Sequence, residues 1–146
     1  MKVLVSACLL GQRTRYDGKD AIDFSLIELV KSHKILPIPV CPEQLGGLPT
    51  PREPCWFTGG DGEDVLSNRS SVVGINTNRD FTNNFLRGAR FTLEIAKLLS
   101  VREAYFKENS PSCGVRNVWV NGKKETGMGV TTALLKKNGI EVIPFG

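Results

Sequence analysis

Apolar positions along the chain follow two rhythms, and their alternation predicts strands interleaved with helices. Residues 2–7 are apolar at nearly every position, as in a strand buried on both faces. Further on the rhythm lengthens. Ile22, Leu26, Ile27, Leu29 and Val30 form one stripe of a helix over 22–33, with Asp23 or Ser25 as its cap and Ser25 with Glu28 as a capping box. A second strand spans 35–40; Pro37 and Pro39 cannot donate to a ladder, which places it toward a sheet edge. Residues 41–69 are rich in Gly, Pro and polar side chains and read as one long loop, with 59–64 a plain turn rather than a cation-binding loop. A short strand at 71–75 precedes a long helix at 82–99, where Phe81, Phe85, Ala89, Leu93, Ala96 and Leu99 recur every three or four residues behind a cap at Asp80 or Thr82. A strand at 103–108 follows, then a hairpin arm at 118–123 turning at Asn121-Gly122. A helix at 129–138, stopped by Asn138-Gly139, and a closing strand at 140–144 complete the chain.

Strands alternating with helices imply right-handed crossovers and a mainly parallel sheet covered by helices on both faces. The expected architecture is α/β: one three-layer, Rossmann-like domain over residues 1–146, a length that suffices to bury a core. In such folds ligands bind outside the carboxyl ends of the strands. No apolar run approaches the roughly 20 residues that span a bilayer, and the first residues lack the zones of a signal peptide, so the expected location is cytoplasmic. The net charge of +4 suits an anionic ligand. The basic residues form no stripe with interleaved aromatics, which argues against nucleic acid as a partner.

Three of the apolar runs hand over directly to a cysteine: 2–7 to Cys8, 35–40 to Cys41, and 103–108, through Asn109-Ser110-Pro111-Ser112, to Cys113. The separations are too long for a local metal knuckle, yet strand ends on one sheet edge would bring all three thiols together. In a reducing cytoplasm gathered thiols point to metal or catalysis rather than to a disulfide. Three readings stay open on pattern alone: inert buried thiols, a zinc or iron–sulfur site, and a nucleophilic thiol, the last without a Cys-His pairing to support it. His33, the single histidine, falls on the last turn of the first helix, away from the three loops.

Longer motifs surround these cysteines. Ser6-Ala7-Cys8-Leu9-Leu10-Gly11, Arg15-Tyr16-Asp17-Gly18, the run from Cys41-Pro42-Glu43 to Pro51-Arg52, Lys107-Glu108-Asn109-Ser110-Pro111-Ser112-Cys113-Gly114, and Gly127-Met128-Gly129-Val130-Thr131 resemble the thiouracil desulfidase family, in the same order over the whole chain. The resemblance implies a [4Fe–4S] cluster ligated by Cys8, Cys41 and Cys113, with its fourth iron open to act as a Lewis acid. It implies a non-redox removal of sulfur from a thiolated pyrimidine, thiouracil or its nucleotide, giving uracil and hydrogen sulfide. The partner is then a small molecule, and no membrane is involved.

Around that centre, Glu43 stands two residues past a cysteine as a base to activate water, or as a hydrogen-bond anchor for its loop. Ser110 and Ser112 are catalytic candidates, binding substrate or donating to sulfur, or else shaping the loop. Arg15, Tyr16, Arg52, Lys107 and Glu108 are candidate substrate contacts, with solvated surface roles an equal reading of the first three and an ion pair between Lys107 and Glu108 the plainer reading of the last two. Gly127 and Gly129 open the last helix, where free N–H groups could receive an anion, and a plain turn before a helix explains them equally well. Cys55 follows no predicted strand and reads as a bystander. The alternative to an enzyme is a metal- or cluster-binding sensor or structural module; the carboxylate and hydroxyls beside the cysteines favour the enzyme.

Overall fold

A computed structural model describes residues 1–146, in which eight strands form two four-stranded sheets. The first sheet runs β2 (Leu36–Val40), β1 (Lys2–Ser6), β5 (Glu103–Lys107), β8 (Glu141–Phe145), and every neighbouring pair is parallel. Val3, Leu4 and Val5 are fully buried because the pleat sends them to opposite faces and both faces are covered. Leu4, Ala104, Phe106 and Val142 pack on one face with Ala96 and Leu135, from helices α4 (Thr82–Leu98) and α5 (Val130–Lys137). Val3, Val5 and Tyr105 pack on the other with Leu26, from α1 (Phe24–Lys31). These are the three layers the alternating pattern anticipates.

The prolines of β2 sit where they cost least. Pro37 and Pro39 lie opposite Val3 and Val5, two residues apart, so both missing donors face outward from an edge strand. The first helix starts at Asp23, whose carboxylate accepts from the Leu26 N–H. The expected Ser25–Glu28 box does not form, because Ser25 Oγ donates to Asp23 instead. The helix is also shorter than the stripe suggested, leaving Ile22 before it and His33 beyond it, exposed and in a left-handed turn at φ 58°.

The second sheet, β4 (Val72–Gly74), β3 (Cys55–Phe57), β6 (Asn117–Val120), β7 (Lys123–Thr126), was not anticipated as a unit. Only its last hairpin is plain in the sequence: Asn121 and Gly122, at φ 47° and 84°, make the primed turn that Asn-Gly favours. The stretch 41–69 is structured rather than one loop. It holds α2 (Pro42–Leu45), β3, and α3 (Gly62–Leu66), which Asp61 and Asp64 start with a reciprocal capping box. Phe57, Val72, Val118, Phe85 and Val130 form the core beneath this sheet, so α4 and α5 serve both sheets and hold them together. Gly46, at the end of α2, and Gly88, in α4, let α2 lie directly on α4. A methyl group at either would overlap the backbone of the other segment. No helix is long and apolar enough to cross a membrane.

Candidate active site

The carboxyl ends of β1, β2 and β5 lie side by side, and each delivers a cysteine to the same cavity of about 540 Å³. Cys8 sits in a 3₁₀ turn, Ala7–Leu10, closed by Gly11 at φ 94°, whose N–H bonds the Cys8 carbonyl. Cys41 is the residue that starts α2. Cys113 lies in the turn after β5 and is the most deeply buried.

That turn is fastened from two sides. Ser110 Oγ accepts from the N–H groups of Ser112 and Cys113 at 3.1 and 3.2 Å. The first turn of α5 then caps the loop's carbonyls: Val130 N–H donates to Pro111, Thr131 N–H to Ser112, and Thr132 Oγ1 to Cys113. The helix terminus read in the sequence as an anion receptor is thus occupied by the protein's own backbone. Gly127 and Gly129 do not line the cavity. Gly129 is required because a side chain there would overlap the Ser112 backbone, and Gly127 leaves room for Asp61, which accepts from the Met128 N–H.

Glu43 joins the second strand's loop to the third. Its Oε2 accepts from Ser112 Oγ at 2.8 Å and Ser110 Oγ at 3.2 Å, and its Oε1 from Arg52 Nε at 2.9 Å. Arg52, a candidate substrate contact, lines the cavity, but its donors are committed internally. Besides Glu43 it donates to the carbonyls of Pro49 and Thr14, to Thr50 Oγ1 and, at 3.9 Å, to Cys41 Sγ, a partner for each of its N–H groups. Its side chain is 6% exposed and that of Glu43 13%.

Lys107 and Glu108 line the cavity but do not pair through their charges. The Lys107 ammonium donates to the Gly146 carbonyl at 3.0 Å. Glu108 Oε1 accepts from the N–H groups of Val115, Arg116 and Asn117 at 2.7, 2.9 and 3.1 Å, pinning the chain beyond the cysteine turn. Burial pushes its carboxyl up, but these backbone donors outweigh burial and hold it below the usual carboxylate range. Arg15 and Tyr16 also line the cavity, the guanidinium 5.7 Å from the ring centre. Asn109, left-handed at φ 72°, lines it as well, and its Oδ1 is buried without a partner.

The thiols are electrostatically aware of one another. Burial pushes Cys8 up to about 11; Cys41 adds to the rise, while Lys107 and Arg15 oppose it. Cys41 and Cys113 are raised chiefly by burial too, and Cys8 and Cys41 both push on Cys113. Three neutral, soft donors thus face one space, where a cationic group would release their protons. No three His, Cys, Asp or Glu side chains are drawn together as tightly as a single ion requires. Thiols spread across a cavity, with no histidine among them, fit a polynuclear iron–sulfur group better than one zinc ion.

Several lining residues were not assigned to the site from sequence, among them Cys55, Trp56, Ile75 and Trp119, all outside the first sheet. Cys55 does not follow a strand but begins one. It packs partly on the second core, its thiol raised by burial to about 12. The signal for these residues was weak, since β3 and β4 have three residues each.

The model of the 2-thiouracil desulfurase family matches residues 3–144. The uncharacterised protein YbbK of Bacillus subtilis (strain 168) is 44% identical over 144 residues, which cover 97% of this chain and 93% of that protein. A solved structure of TudS, a [4Fe–4S]-dependent thiouracil desulfidase, is 38% identical with a TM-score of 0.81, covering 98% of this chain and 89% of that one.

Proposed function

Because the chain belongs to the 2-thiouracil desulfurase family, we propose that it replaces the sulfur of a thiolated pyrimidine, thiouracil or its nucleotide, by oxygen, with water consumed and hydrogen sulfide released. The observation that carries this reading is the convergence of Cys8, Cys41 and Cys113 on a cavity whose wall also holds Glu43 and its two serine partners. Cys8, Cys41 and Cys113 would hold a [4Fe–4S] cluster, as the similarity to TudS supports. When bound, that cluster supplies a sulfur-seeking Lewis acid that polarises the C–S bond.

The remaining chemistry falls to the chain's own residues. The reaction C=S + H₂O → C=O + H₂S needs a base for water and an acid for the departing sulfur, and no electrons. Glu43 Oε2 would take the proton from a water attacking the ring carbon and return it to sulfur. Ser112 and Ser110 hold that oxygen in line and can turn their hydroxyls to a substrate or water in its place. Arg52 holds Glu43 in position while tying it to the loop of Cys41. Lys107 and Arg15 give the cavity a positive rim suited to an anionic nucleotide. Residues 1–146 act here as one catalytic unit, and three reduced thiols needed to hold a cluster suit a reducing, cytoplasmic setting.

The test is anaerobic reconstitution with iron and sulfide, followed by visible absorption and sulfide release from 2- and 4-thiouracil. Wild-type protein should show iron–sulfur absorption and release sulfide, and Cys113→Ala should lose both. A colourless protein that binds zinc and releases nothing would instead identify a sensing or structural module.

A further inference from the structure

We infer that the second sheet supplies the surface on which the substrate's ring stacks, through Trp56 and Trp119; this rests on the desulfidase reading. Parallel pairing sets Phe57 of β3 opposite Val120 of β6, so the preceding residues, Trp56 and Trp119, are neighbours on one face. Phe57 and Val118, the alternate residues, are fully buried in the core beneath. The pleat therefore turns both indoles the other way, into the cavity that the three thiols, Glu43 and Ser112 line from the opposite side.

These are not stray surface residues. Trp119 is 44% exposed, yet it stands beside a second indole, with Ile75 and Pro54 continuing the same wall. Gly122, in the turn that follows β6, lies against the six-membered ring of Trp56. An apolar, aromatic wall facing a polar, reactive one is the usual form of a small-molecule site. A planar, polarisable thiopyrimidine has one apolar face to cover and one sulfur-bearing edge to present to the thiols. Stacking is indifferent to which edge carries sulfur, so the wall would accept 2-thio and 4-thio isomers alike.

Trp56 and Trp119 are the only tryptophans of the chain, so its intrinsic emission reports this wall and nothing else. In reconstituted protein, uracil should change that emission on titration. Dihydrouracil, which keeps the hydrogen-bonding edge but puckers the ring, should bind about tenfold more weakly. Trp56→Leu and Trp119→Leu should each raise the KM for thiouracil about tenfold with kcat held within about twofold, and the Phe variants should restore most of it. Trp119→Leu should also discriminate less between uracil and dihydrouracil. Equal binding of the two rings by wild type, or an unchanged KM in folded variants of both tryptophans, would overturn the inference. Because the emission titration needs no turnover, absence of sulfide release from wild type would count against the desulfidase reading and leave ring stacking to be judged by the titration.

Discussion

Arg52→Met should be among the most destabilising single substitutions in the chain, and its effect should depend on Glu43. The pair meets at 2.9 Å with side chains 6% and 13% exposed, so removing one charge strands the other away from water. Breaking a buried pair in this way costs about 3–5 kcal/mol. The acceptors that Arg52 also serves, Thr14, Pro49 and Thr50, include carbonyls that lose a charge-assisted donor. A loss of about 4 kcal/mol, near 2–4 °C of Tm for each, predicts a fall of roughly 8–16 °C. Urea unfolding of the reduced protein, followed by circular dichroism, measures this directly. Arg52→Lys keeps the charge but not the planar fork, and should fall between wild type and Arg52→Met. In the double variant Arg52→Met/Glu43→Gln neither charge remains, so the two losses should fail to add by about 2 kcal/mol or more. Coupling below about 0.5 kcal/mol would refute the reasoning, since that is the behaviour of independent sites.

Glu108 gives a prediction in acid. Its folded pKa lies below its ordinary value of 4.5, so its contribution is present above that pH and is lost as pH falls through the folded value. The stability gap between wild type and Glu108→Gln, followed by urea unfolding from neutral pH downward, should therefore close in acid; a gap that widened would reverse the sign. The two serines should separate. Ser110→Ala strips the acceptor that holds two loop N–H groups and should cost about 1–3 kcal/mol in stability, whereas Ser112→Ala should mainly lower kcat for sulfide release, by about 10²-fold. Alkylation of Cys8 in the cluster-free protein should rise toward pH 11 rather than 9, as mass spectrometry of the modified peptide would show; a rise centred at 9 would mean the thiol is not desolvated.

What the sequence made legible followed from periodicity and from handovers. Both-face burial of β1 was written in its unbroken apolar run, and the edge position of β2 in its two prolines. The parallel-sheet rule then brought Cys8, Cys41 and Cys113 to one side before any contact was known. The second sheet left no such trace. A three-residue strand such as Cys55–Phe57 is too short to show a period of two, and its partners come from segments 15 and 60 residues further along. The internal bonds of Arg52 were hidden for a related reason: a lone basic residue in a Pro-rich stretch suits a ligand clamp or a solvated surface equally until its acceptors are placed. Gly127 and Gly129 left an anion site and a plain turn equally open because the pattern of a helix start cannot tell which carbonyls it will meet.

The two sheets divide the demands of the site. The carboxyl edge of a parallel sheet can gather thiols from distant parts of the chain, but by itself that edge is open to solvent. Water there would keep the thiols acidic and the carboxylate well solvated. The second sheet, held beside the first by α4 and α5, lines the far side of the cavity, and burial is the largest cause raising all three thiols. Glu43 shares this cavity, and its side chain is largely buried, so an internal cation with every N–H engaged stands beside it. Arg52 is the counter-charge that a carboxylate so placed must have, and its bonds to Thr14 and Cys41 tie that requirement to the loops that carry the thiols.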